Sequence, residues 1–259
     1  MAKKLFIIAL ILVTSVQMAH SQVLLSLIFG DNLQTEKLEF GLNGGFNLST
    51  IRGIEGAKGQ NNWLLGFYFD IHPKLESPMH ISTGVYVKSN VGARNIPLDH
   101  PGNPPINDSV YNGFVNAHGS VEKVINTFYV PLNLRYQTKS GLFFEAGGQA
   151  GLVFKTRDLY QADVDGYTLH YDVKQKLRNN QTYRWIDAGV DGGIGFKPKG
   201  KLGMKIGVWY YLGLVNIYKN DIDAKAYNSS LYVLATFPIG KKKAEEERAK
   251  KEAAKATGN

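Results

Sequence analysis

Eight ionisable residues sit at alternating positions of otherwise apolar or glycine-rich segments: Glu39, Asp70, Lys88, Arg135, Glu145, Asp187, Asp191 and Lys205. Alternation across a strand sends such side chains to one face. Charges gathered on an inner face stay ionised only when paired or hydrated. The chemistry open to this set is ion pairing inside a closed structure, or the lining of a narrow path for small solutes. Proton-transfer chemistry has thinner support. Five histidines follow the leader, at His72, His80, His100, His118 and His170. None stands in a serine–histidine–acid pattern of known arrangement, and the expectation is no catalytic residue and no enzyme. Asp163-Val-Asp165-Gly166 resembles part of a calcium loop but lacks the further ligands and closing Glu, so it reads as a turn. The glycines of GVDGGIG at 189–195 alternate within a strand and no helix follows, so they read as packing rather than phosphate binding. No cofactor and no metal is expected.

The elements that must position these residues announce themselves by rhythm. Beyond the leader, eight segments with period-2 hydrophobicity are separated by connectors that are alternately long and short. The long connectors fall near 50–61, 89–121, 155–181 and 214–228, and the short ones near 73–78, 138–140 and 197–201. In 124–137 one face reads Val124, Asn126, Phe128, Val130, Leu132, Leu134, Tyr136, and the other carries Thr127, Asn133, Arg135 and Gln137. In 141–154 Leu142, Phe144, Ala146, Leu152 and Phe154 oppose Glu145 and Gln149. Segments 38–48, 63–72, 183–196 and 202–212 split in the same way, and 79–88 and 229–240 do so more weakly. A soluble sheet would put the apolar face in its core. Here the strands are long, and aromatics (Trp63, Tyr136, Phe154, Phe196) sit near the ends of the apolar faces, as a membrane girdle requires. The predicted fold is all-β: an eight-stranded antiparallel up-and-down transmembrane β-barrel. Inward glycines (Gly41, Gly45, Gly147, Gly151, Gly189, Gly193, Gly207) are expected to leave room for bulky neighbours.

The ends frame this barrel. Lys3 and Lys4, the apolar run Leu5 to Val13, and Ala19-x-Ser21 form a signal peptide cleaved after about Ser21. Its apolar run is shorter than the roughly 20 residues of a membrane helix. The expected organisation is 1–21 signal peptide, 22–37 lead-in, 38–240 barrel, and 241–259 a charged periplasmic tail, helical or disordered. The chain has no Cys, which excludes disulfides and lipid attachment at the cleavage site. The formal charge of +8 lies partly in the signal and tail, and no basic–aromatic face suits nucleic acid. An even strand count puts both termini in the periplasm and every long connector outside.

LEFGLNGGFNLSTI at 38–51, FYVPLNLRYQTKSGLFFEAGGQAGLVF at 128–154 and NSSLYVLATFPIG at 228–240 resemble the outer-membrane β-barrel domain family of Bacteroidetes, often called PorT-like. The resemblance covers 38–240 and implies an eight-stranded barrel in the outer membrane of a Gram-negative bacterium. It implies the outer-membrane lipid and the barrel assembly machinery as partners, and envelope or secretion-complex proteins through the family's namesake. The tail after Gly240 departs from the pattern, which leaves Phe237 as an internal assembly signal. The longest connector carries Asp99, His100, Pro104 and Pro105, the candidates for binding in an outer loop, because long loops on a rigid scaffold are where binding resides. The expected role is structural or interaction-based. A narrow, porin-like pore and a lipid-modifying enzyme are the rival readings.

Overall fold

The computed structural model describes residues 35, 37–74, 77–104, 118–164, 167–176, 180–199 and 203–239. The expected signal peptide, most of the expected lead-in, Pro105, Asp165, Gly166, Leu202, Gly240 and the expected tail lie outside the described residues. Among the described residues nine strands follow one another: β1 Leu38–Arg52, β2 Gln60–Ile71, β3 Met79–Pro97, β4 His118–Gln137, β5 Leu142–Val164, β6 Tyr167–Lys176, β7 Ile186–Phe196, β8 Lys205–Gly213 and β9 Tyr227–Pro238. All pairings are antiparallel. Eight strands close a ring, in which β1 pairs with β9 and β4 pairs with β5. The ninth, β6, stands outside it. The lower part of β5 (Leu142–Leu152) pairs with β7, and its upper part (Lys155–Val164) pairs with β6.

The ring follows from polarity inverted relative to a soluble core. Along β4, Phe128, Val130, Leu132, Leu134 and Tyr136 are all exposed, while Thr127, Tyr129, Asn133 and Arg135 are buried. Phe144 and Leu152 on β5, Ile194 and Phe196 on β7, and Ile206 and Tyr210 on β8 continue the apolar belt. Its height on β4, Phe128 to Tyr136, suits the span of about 9–11 tilted residues that a bilayer demands. Closure satisfies the backbone without an edge, which hydrocarbon would punish. Phe40, also outward, is only 4% exposed because its ring packs on Phe69 at 5.0 Å and Phe67 at 6.0 Å.

Inside, the missing Cβ atoms make space for rings. The Cβ of a residue at 151 would fall within the Tyr129 ring, and Gly193 and Gly207 flank Trp209. At the short-turn end Gly141 adopts φ +98°, which closes the β4–β5 turn in a conformation few other residues accept. Pro131 lies mid-strand in β4 without an N–H to give, and the β3–β4 ladder skips the positions around it.

At the other end two of the four long connectors are not simple loops. The expected loops 89–121 and 155–181 are in large part strand. β3, β4, β5 and β6 continue beyond the belt as a projecting four-stranded arm. The alternation persists there, with Thr156, Asp158, Tyr160 and Ala162 buried against Arg157, Leu159, Gln161 and Asp163. The outer side faces water rather than lipid, so it lacks the apolar face by which the membrane strands are recognised.

Candidate functional site

The interior carries its charge at the short-turn end. Arg135 and Glu145 are directly opposed partners of β4 and β5, so both side chains enter the barrel at one level. The Arg135 guanidinium donates to Glu145 and to Asp70 of β2, and to the Ser82 hydroxyl at 3.1 Å. Lys205 of β8 reaches the same Asp70 and donates to Glu39 at 2.7 Å. Tyr68 donates to Glu39 at 2.9 Å, and the Trp209 indole N–H to Glu145 at 2.6 Å. Arg135 is 3% exposed and Lys205 1%. Glu39, Asp70, Arg135, Glu145 and Lys205, five of the eight residues singled out in the sequence, thus form one interlocked network across five strands. Such a network is costly to assemble and costlier to break, because removing one partner strands the others as buried charges.

Asp187 and Asp191 face inward but higher, apart from that network. Asp187 accepts from Tyr129 at 2.6 Å and Asn228 at 2.7 Å, and Asp191 accepts from Asn133 at 2.8 Å. Their partners among the described residues are neutral. Around them Tyr86, Tyr129, Tyr211 and Tyr232 fill the cross-section, and Gln149 ties to Tyr232 at 3.1 Å.

Lys88 departs from the expected interior set. A bulge in β3 pairs Leu65 with Lys88 but Gly66 with Tyr86, so one residue is inserted and the parity of the strand flips. Lys88 therefore lies on the outside, its ammonium 3.7 Å from the centre of the Trp63 ring.

A second buried cluster, not foreseen from the sequence, lies above the belt. Lys123 and Asp158 pair at 2.8 Å with both side chains fully buried. Lys123 also donates to the Tyr183 hydroxyl at 2.9 Å and to the Gly102 carbonyl at 3.0 Å. Residues 98–104 thereby sit as a cap over the mouth. Gly102 lies against the Tyr218 ring, and Tyr160 donates to the Pro104 carbonyl at 2.6 Å. The Gly102 N–H donates to His100 Nδ1 at 3.0 Å, and that ring faces Tyr218 at 5.7 Å. Burial holds the His100 imidazole below its ordinary pKa, and the Lys123 ammonium acts in the same direction. Of the residues marked for loop binding, Asp99 is exposed, His100 is half-buried and Pro104 is buried. They form a seated cap, not a free loop. The signal that points to the cluster is the odd-numbered face of β4, where Val121, Lys123 and Ile125 continue the inward alternation past the belt.

The outside of the arm holds an open groove of about 710 Å³, lined among others by Lys58, Arg94, Glu122, Arg157, His170 and Asp172. Arg94 fixes the first connector, donating to the Gly59 carbonyl at 3.0 Å. Asp172 accepts both Arg157, at 2.9 and 3.0 Å, and Lys174, at 2.9 Å. Among the histidines, the His72 and His80 rings meet at 4.0 Å, tilted by 51°, beside a short turn, and His118 and His170 are exposed on the arm.

The family model for the outer membrane protein beta-barrel domain matches residues 29–219. Solved structures are also similar to this chain at low identity. Ail, the attachment invasion locus protein of Yersinia pestis, is 12% identical, with 79% of this chain and 99% of that chain covered and a TM-score of 0.37. Neisserial surface protein A is 8% identical, with coverage of 76% and 96% and a TM-score of 0.33. The Pseudomonas putida toluene transporter TodX is 10% identical, with coverage of 80% and 90% and a TM-score of 0.25. No curated protein matches the chain.

Proposed function

The chain belongs to the outer membrane protein beta-barrel domain family, and from that premise we propose that it is a sealed, non-enzymatic scaffold that presents its arm to an envelope partner. The observation that carries this reading is the filled interior. The Arg135 network, the tyrosine layer and the Lys123–Asp158 cap succeed one another along the barrel, and eight strands enclose little more than their own side chains. What remains free to act is the arm, whose outer face carries a groove of mixed charge on strands rather than on mobile loop. Binding on a rigid element costs less ordering entropy than binding on a loop. In the same reading the leader is removed after Ser21, both termini lie in the periplasm, and the arm projects from the cell. The charged tail then faces the periplasm, and the chain stands among the PorT-like barrels as an accessory of an envelope or secretion complex.

The test is site-specific photo-cross-linking in living cells. A photoreactive residue at Gln161 or His170, beside the groove, should give discrete protein adducts. The same residue at Lys139, in the opposite turn, should give none of them. Identical adducts from both ends, or none from the groove, would contradict the scaffold reading.

A further inference from the structure

We propose that the lower outer face of the arm is a binding site for a phosphorylated lipid headgroup of the adjoining leaflet. Its cations are Lys155, Arg157, Lys174 and Lys176. In the β5–β6 register Lys155 directly opposes Lys176, and on the next rung of the same face Arg157 opposes Lys174. Like charges directly opposed in a sheet destabilise it. Asp172 relieves the upper rung, with Arg157 and Lys174 both bound to it. No such anion bonds to Lys155 or Lys176 among the described residues. Among the described residues their repulsion is unrelieved, and the proposed ligand is the anion that would neutralise it.

Position names the anion. At the β4–β5 bulge Asn126 pairs with Lys155 and Thr127 with Val153, so Phe154 is the inserted residue. Phe154 and Lys155 thus both point outward. Phe154 stacks on Phe128 at 4.5 Å, and the two rings form the upper edge of the apolar belt. Lys155 and Lys176 stand about one residue's rise, 3.3 Å, above that edge, and Arg157 and Lys174 about 10 Å above it. The headgroup layer of a bilayer occupies about 5–8 Å on each side of the hydrocarbon. The four cations span the depth where lipid phosphates lie, with acyl chains against Phe128 and Phe154. Guanidinium and ammonium groups both suit phosphate oxygens. The source follows from the orientation proposed above, on which the inference rests: the arm meets the outer leaflet, so the ligand is a phosphorylated glycolipid of that leaflet.

The experiment reconstitutes the full chain in phosphatidylcholine bilayers carrying bis-phosphorylated lipid A or its dephosphorylated form. Native mass spectrometry after mild extraction counts the retained lipid. Wild type should keep the phosphorylated lipid and not the dephosphorylated one. K155Q/K176Q should reduce retention about tenfold, K155R/K176R should restore it, and K139Q/K199Q, at the opposite turns, should leave it unchanged. Equal retention by wild type and K155Q/K176Q, or retention blind to the phosphates, would overturn the inference. So would loss of the lipid to millimolar inorganic phosphate, which would reduce the patch to a general anion site. The chain has no Cys, so Gln161→Cys offers a unique thiol for orientation. Labelling by an impermeant maleimide on intact cells supports the outer-leaflet source. An unlabelled thiol overturns that source and the orientation together, whatever the lipid retention.

Discussion

Arg135 is held by two carboxylates, a hydroxyl and the Phe143 ring, whose centre lies 4.6 Å from its guanidinium carbon. Arg135→Ala would leave Asp70 and Glu145 facing each other with one cation fewer, a loss of about 3–5 kcal/mol for a broken buried pair. The expected outcome is a sharp fall in the temperature at which the folded band disappears on a heat-modifiability gel. Lys88→Ala should move that temperature little, since its contact with Trp63 is a surface cation–π pair worth about 0.5–1 kcal/mol. A large Lys88 effect would place that side chain back inside. Gly193→Val drives two methyl groups into Trp209 and the β8 backbone, and overpacking of this kind costs about 1–3 kcal/mol. The same gel reads it. His100 gives a pH-dependent prediction. The free imidazole takes its proton near pH 6.5, while the seated one takes it lower. The unfastened cap therefore binds the proton first, and the seat is intact above about pH 6.5 and weakens as pH falls below it. Protonation also removes the lone pair of Nδ1 that the Gly102 N–H needs. Amide exchange in 98–104, corrected for intrinsic rates, should quicken between about pH 7.5 and 5.5. His100→Gln should flatten that dependence. The alternation of side chains made Glu39, Asp70, Arg135, Glu145 and Lys205 legible, because parity within an unbroken strand decides the face. Lys88 was not legible, since one inserted residue reverses parity and leaves no mark in the hydrophobic pattern.

Among the elements, the membrane strands were readable because lipid demands an apolar face and the interior a polar one. The arm was not. Its outer face meets water, so Arg157, Gln161 and Asp163 read as loop composition although they sit on β5. β6 has no lipid-facing belt of its own. The arm is also separable from the ring. β5 pairs with β7 through Leu142–Leu152 and with β6 only above that, and Asp158 faces Val173 across the hairpin. Replacing 159–172 by Asn-Gly would close the hairpin at that pair with a two-residue turn. The shortened chain is expected to retain a heat-shifted folded band, and to lose the groove cross-links. Failure to fold would mean that the ring depends on its arm.

At the scale of the molecule, hydrophobic period and connector lengths together pointed to an eight-stranded ring, and the ring is what the pairing shows. Whether that ring conducts was not legible, because the answer depends on which side chains meet across the interior and not on their order in the chain. Arg135 meets Asp70 from a separation of 65 residues, and Lys205 meets Glu39 from 166. Those contacts, with the tyrosine layer above them and the cap on Lys123, are the basis for reading a sealed scaffold. The direct test is single-channel recording of the refolded full chain in a planar bilayer, after a heat-modifiability gel confirms the folded band. The sealed barrel should be silent. A steady, ion-selective current that shifts in the Arg135→Ala variant would contradict the account and identify a small-solute pore.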